Sequence, residues 1–324
     1  MASRIQQITN TPLSPISFSE RRLRLNPETA TEAPEPSQAA NAALQAGITV
    51  LHAAHEREAI SLHASLATIQ HPSPYLVSTT DGDVLARCPA TEDGAAEAVQ
   101  KAIARKKEMF GGRTLDLFSL YDFRRDTHLE SVLTGAFRAL REAREAQEIQ
   151  CIGVTCYGDY EALAYAIQNG MVELDFVIVR YNYLDQQAGK TLIPLCRERG
   201  IDVIAAQTFS WRGDIPFPRF PNIWRYRNMT KNFYGMSVAQ AHLKWLTASG
   251  QFDSILVSMQ EPAQVLENVA AVKIVKLPVG LEALFQNIGG AIEDTSDGWL
   301  GLRDDEIWEY QLAAKAEMER RTRR

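Results

Sequence analysis

The sequence has no G-x-G-x-x-G turn, no long apolar run and no extended basic run before its last few residues. The missing glycine-rich turn removes the usual phosphate cradle of an open, doubly wound sheet. No apolar stretch approaches the roughly 18 residues that a membrane-crossing helix needs. The opening MASRIQQITNTPLSP lacks the apolar core of a secretion signal. With a net charge of −6 and a pI near 5.6, the chain is poorly suited to nucleic acid. Cysteine is scarce: Cys88, Cys151, Cys156 and Cys196 are scattered, with neither a zinc-type spacing nor a C-x-x-C pair. They read as reduced thiols. Together these absences point to a cytoplasmic protein with no metal site and with neither a membrane nor a nucleic acid as partner.

What is present is a rhythm. Apolar, β-type runs recur as PISFS near Ser17, ITVLHA at 48–53, PYLVST at 74–79 and LDLFSLY at 115–121. They continue as QCIGVTC at 150–156, LDFVIVRY at 174–181, IDVIAAQ at 201–207 and DSILVSM at 253–259. The later runs are almost continuously apolar, as parallel strands covered on both faces are. Helical patterns lie between them. Ser37 is placed to cap QAANAALQA, and Gly47 to end it. HLESVLTGAFRALREAREAQ carries an apolar stripe through Leu129, Leu133, Phe137 and Leu140. YEALAYAIQNG, LIPLCRERG and VAQAHLKWLTASG each end on glycine. Repeated strand–helix–glycine units with right-handed crossovers predict a (β/α)₈ TIM barrel, with a doubly wound sheet as the alternative.

A chain of 324 residues, 45% hydrophobic, suits one domain spanning 1–324. We place the barrel core at about 15–275 and a C-terminal helical extension at 279–324, ending in the amphipathic DDEIWEYQLAAKAEMERRTRR. The stretch near Pro12 to Pro36 is proline- and acid-rich and reads as loop. Residues 210–235, rich in proline, aromatics and arginine, interrupt the rhythm. A loop of that length is either a lid over a site or a packed excursion.

From about Ser37 to Val272 the chain resembles the aldo-keto reductases. The resemblance is carried by ALQAGITVLHAA, LDLFSLYDF, IQCIGVTCYG, VIVRYNYLDQ, RGIDVIAAQTF and SILVSMQEPAQVLENVAA, in that order. It implies a barrel whose site lies at the C-terminal ends of the strands. It also implies a catalytic Asp, Tyr, Lys and His, and here those positions hold His52, Arg57, Thr80 and Tyr121. The pair that would hold the nicotinamide carboxamide is Thr155-Cys156, the glutamine position is Ile178, and the stacking ring position is Ala206. The basic residues expected around a 2′-phosphate fall on Ser258, Gln260 and Gln264. Only Glu267 and Asn268, the adenine-side pair, match, and they could equally cap and pack the last helix.

The strand ends offer other chemistry: His52, His55, Glu56 and Arg57; Thr80, Asp81 and Asp83; Tyr121, Asp122, Arg124 and Arg125; Thr155 and Cys156; Arg180, Tyr181 and Asn182; Gln207 and Trp211. His52 reads as a general base, or as a buried imidazole bonded to a neighbouring strand. Tyr121 reads as its proton-donating partner, or as a core aromatic. Arg180 needs an anionic or carbonyl partner, from the barrel or from a substrate. Arg57, Thr80, Gln207 and Trp211 complete the expected substrate-binding set. On this reading the chain is a non-redox enzyme, a lyase, dehydratase, isomerase or cyclase, acting on a small organic molecule without a cofactor. The alternatives are an NAD(P)H-dependent reductase with a rebuilt site, NADPH being its expected cofactor, and a binding or assembly protein that has lost catalysis.

Overall fold

The structure, a computed structural model, describes residues 2–20, 36–68, 74–81, 84–121, 123, 130–182, 185–209 and 236–274. Eight parallel strands close a barrel in sequence order. They are β1 (Ile16–Glu20), β2 (Val50–Ala53), β3 (Leu76–Asp81), β4 (Leu115–Leu120), β5 (Ile149–Cys156), β6 (Phe176–Arg180), β7 (Asp202–Ala206) and β8 (Ser254–Met259). Closure is made by β8 on β1, with Ile16 opposite Ile255 and Glu20 opposite Met259. The doubly wound alternative is thereby excluded, because an open sheet has two unpaired edges.

The helices are α1 (Arg4–Thr9), α2 (Gln38–Gln45), α3 (Glu56–Thr68), α4 (Val84–Arg87), α5 (Glu92–Met109), α6 (Glu130–Glu145), α7 (Tyr160–Gln168), α8 (Leu192–Arg199), α9 (Val238–Ala248) and α10 (Pro262–Val272). Local chemistry marks their ends. Ser37, Thr91, Asp159 and Ser237 each accept a first-turn N–H with their side chains. Gly200 ends α8 at φ 67°, a left-handed conformation that favours glycine.

Two cores result. The larger lies between sheet and helices, and the smaller fills the barrel with Val50, Leu76, Leu117, Cys151, Phe176, Ile178, Ile204, Ala206 and Leu256. Gly153 on β5 makes room for the Phe176 ring, since a Cβ there would come within 2.3 Å of it. Ile5 of α1 belongs to the inner core and is wholly buried. The Asp202 carboxylate at the start of β7 accepts the Arg4 and Ile5 N–H groups at 2.9 and 2.7 Å, and Arg4 Nε donates to Asp175 at 2.7 Å. A short N-terminal helix therefore seals the bottom of the barrel.

Among the described residues, no helix is long and apolar enough to cross a membrane. Much of the stretch expected as loop near Pro12 to Pro36, the excursion at 210–235 with Trp211, and the extension at 279–324 lie outside the described residues.

Candidate functional site

Side chains alternate along a strand, so the residues that continue each inward row reach the C-terminal mouth of the barrel. Beyond Val50 comes His52, and beyond Leu76 come Ser78 and Thr80. Beyond Leu117 come Ser119 and Tyr121, and beyond Cys151 and Gly153 come Thr155 and Tyr157. Beyond Ile178 comes Arg180, and β7 ends on Ala206, followed by Gln207. The inner surface thus changes from apolar at the bottom to polar at the mouth.

One side of the mouth is a chain of hydroxyls. Thr80 Oγ1 and Ser119 Oγ are 2.7 Å apart, and Ser119 Oγ lies 3.3 Å from Thr155 Oγ1. Next to them His52 Nδ1 is 2.9 Å from Ser78 Oγ. Burial, with the charges of Lys106 and His55 nearby, pushes the His52 imidazole down to about 3. At neutral pH the ring is therefore uncharged and weakly basic. A general base at His52 would need an imidazole nearer its ordinary pKa of about 6.5, which this burial disfavours. Lys106 ends the apolar stripe of α5 and donates from Nζ to Ala54 O. Burial lowers its pKa, opposed by the Asp81 and Glu58 carboxylates. Glu58 also accepts from the Ala54 and His55 N–H groups at 3.2 Å, so the turn after β2 is fastened from both sides.

The other side of the mouth is an aromatic and cationic relay. The Tyr121 and Tyr157 rings meet edge to face at 5.7 Å, and the Arg180 guanidinium carbon lies 5.6 Å from the Tyr157 centroid. Arg180 Nε donates to Gln207 Oε1 at 2.6 Å, and Asn182 Nδ2 donates to Gln207 O at 3.0 Å. The structure brings Tyr121, Arg180 and Gln207 to one side of the mouth. Thr80 is also at the mouth, but its hydroxyl is engaged with Ser119.

Other candidates fall elsewhere. Arg57 lies in the first turn of α3, partly exposed. Glu56 is on the surface, paired with Arg105 at 2.6 Å. Cys156 faces the helix layer, and Tyr181 stacks there against Trp245 at 6.0 Å. Asn268 is buried on α10, and the Glu267 carbonyl accepts from Gln240 on α9 at 3.2 Å. Asp83, Asp122, Arg124, Arg125 and Trp211 lie outside the described residues. Among the described residues, no group of three or more His, Cys, Asp or Glu could hold a metal ion. The sequence reading missed Ser78, Ser119 and Tyr157, all of which strand alternation would have found. It also missed Lys106, whose signal was a lysine on the apolar face of α5.

The fold and the mouth can be set beside known proteins. The model of the aldo/keto reductase family matches residues 23–211. The chain is 25% identical over 206 residues to a D-threo-aldose 1-dehydrogenase of Pseudomonas sp, covering 59% of this chain and 61% of that one. It is 26% identical over 209 residues to an NADH-specific methylglyoxal reductase of Escherichia coli (strain K12), covering 55% and 60%. It therefore spans about three fifths of the length of these curated relatives. An aldo-keto reductase of Bacillus halodurans in its holo form shares the fold at a TM-score of 0.65 and 16% identity, over 85% of this chain and 92% of that one. Relatives named as a dehydrogenase and an NADH-specific reductase overturn the expectation of a lyase, dehydratase, isomerase or cyclase, and the notion of a pseudo-reductase. The expectation of no cofactor falls with it. It had inferred a lost chemistry from side chains missing at matched positions, and a barrel mouth can draw its groups from other strands and helices. A family model matched over more than half the chain, on a closed eight-stranded barrel with its polar groups at the strand ends, establishes that this protein belongs to the aldo/keto reductase family.

Proposed function

We propose that the chain is a nicotinamide-dependent oxidoreductase that interconverts a carbonyl and an alcohol on a small organic molecule, through a rebuilt mouth and with NADH preferred to NADPH. Family membership carries this reading, and the NADH-specific relative supports the choice of cofactor form. The described residues fit a dinucleotide without a 2′-phosphate. Ala206 ends β7 with only a methyl group, and Ser258 is exposed at the end of β8. A 2′-phosphate fits poorly at the start of α10. There Gln264 Oε1 already accepts from the Gln260 and Glu261 N–H groups at 2.8 and 3.4 Å, and the exposed Glu261 adds negative charge.

A bound nicotinamide would supply the hydride chemistry. The chain must then move a proton at the substrate oxygen. We assign that proton to the Tyr121 hydroxyl. His52, neutral and paired with Ser78 at 2.9 Å, assists as an uncharged hydrogen-bonding group of the mouth. The hydroxyl chain from Thr80 to Thr155 keeps that wall rigid.

Calorimetric titration of the full chain tests the cofactor assignment. NADH should bind saturably, about tenfold or more tightly than NADPH, a difference of about 1.4 kcal/mol. Failure of both to bind at millimolar concentration would sink the reading, and tighter binding of NADPH would reverse the choice of form.

A further inference from the structure

We infer that the substrate carries a carboxylate, gripped by the outward fork of Arg180 beside the Gln207 amide. The inference deepens the oxidoreductase reading and rests on it for the reaction, though not for the binding. Arg180 is the one charged residue of the strand FVIVR, and its side chain is 24% exposed. Its contacts hold the guanidinium in place and partly balance its charge. Nε is held by Gln207 Oε1 at 2.6 Å, and the Tyr157 ring lies 5.6 Å from the guanidinium carbon. Asp185 Oδ2 forms a loose ion pair with Nη1 at 3.7 Å, outside hydrogen-bond range, so the Nη donors stay open to a second oxyanion. Among the described residues, Nη1 and Nη2 have no hydrogen-bond acceptor.

Gln207 is itself held in an unusual way. It sits at φ 52°, a left-handed conformation that residues other than glycine seldom adopt. Its carbonyl is fixed by Asn182 at 3.0 Å while its side-chain oxygen faces Arg180. The left-handed turn at the end of β7 thus coincides with the contact that holds Arg180. Strain of this kind concentrates at ligand clamps. A guanidinium bound at Nε presents its Nη edge, a planar pair of donors that matches a carboxylate. The nearby Asp185 charge favours a monoanion over a phosphate dianion. Tyr157 lies between the two groups, its ring 5.6 Å from the Arg180 guanidinium carbon and 5.7 Å from the Tyr121 ring, so Arg180 and Tyr121 face the same side of the mouth.

The test uses benzoate and benzamide as inert probes, and 4-formylbenzoate and its methyl ester as substrates with NADH. In calorimetry benzoate should bind at least tenfold more tightly than benzamide, and Arg180→Met should weaken benzoate by about 10- to 100-fold. Arg180→Lys should recover part of that loss, because it restores the charge without the fork. In turnover, Arg180→Met should lower kcat/KM for 4-formylbenzoate by a similar factor, through KM, with a loss on the ester at least tenfold smaller. Should Arg180→Met melt far below the parent protein, Arg180→Lys carries the comparison, with about a tenfold loss on benzoate expected. Arg180-dependent benzoate binding without NADH oxidation on either aldehyde would keep the carboxylate site and discard the oxidoreductase reading. Benzoate binding no tighter than benzamide, or equal losses on acid and ester, would overturn the inference.

Discussion

His52 ends an apolar strand with Nδ1 on Ser78 and with Lys106 and His55 among the charges that reach it. Its tendency to stay neutral makes it a hydrogen-bond donor or acceptor and leaves proton transfer to Tyr121. Tyr121→Phe should lower kcat by about 10²–10⁴-fold, with a melting temperature close to that of the parent. Near-full turnover in that variant would show that the ring only packs. Between pH 5 and 8, the kcat profile should contain no limb that disappears in His52→Gln, because a group at about 3 does not titrate there. A limb near pH 6.5 removed by that substitution would restore the general base. At this scale the sequence marked His52, Tyr121 and Arg180 as unusual, since each is polar at the end of an apolar run. It could not reveal their states. The acidity of His52 depends on burial and on Lys106, which arrives from a helix 54 positions later in the chain.

The strands were legible because apolar runs of five to eight residues ended on turn signals, and the helices because Ser, Asp and Gly stood at their ends. The bottom seal was not. RIQQIT is too short to show a helical period, and what holds it, Asp175 and Asp202, lies 171 and 198 positions away. Ile5→Ala should destabilise the protein by about 2–5 kcal/mol, the usual range for a fully buried aliphatic side chain cut to alanine. Equilibrium urea denaturation measures it, and an unchanged midpoint would mean that α1 is not part of the cooperative core.

At the scale of the whole molecule, two buried imidazoles set an acid limit. His242 lies among Phe209 and Trp245, and burial takes it, like His52, down to about 3. Both would titrate near 6.5 once unfolded. Between pH 6.5 and 3 the unfolded chain therefore binds more protons than the folded one, so the contribution is fully present above about 6.5 and is lost as the pH falls. Asp116 and Asp202, whose pKa values burial raises, act in the opposite direction at lower pH. The melting temperature should fall from pH 7 to pH 5, and His242→Phe should flatten that slope. An unaltered slope would place the acid sensitivity elsewhere.

The sequence by itself determined the barrel, because its periodicity, caps and glycine stops are local properties that repeat along the chain. It also determined the family, because the matching segments are collinear. Tertiary structure decided how the mouth is equipped. The mouth of a closed barrel collects side chains from strands far apart in sequence, so the relay from Tyr121 through Tyr157 to Arg180 and Gln207 exists only once the sheet is closed. All four catalytic family positions are replaced, at His52, Arg57, Thr80 and Tyr121, and single positions do not show what neighbouring strands and α5 bring to the same place. Charge state, strain and donor direction depend on burial and on partners distant in sequence, and these are products of the fold.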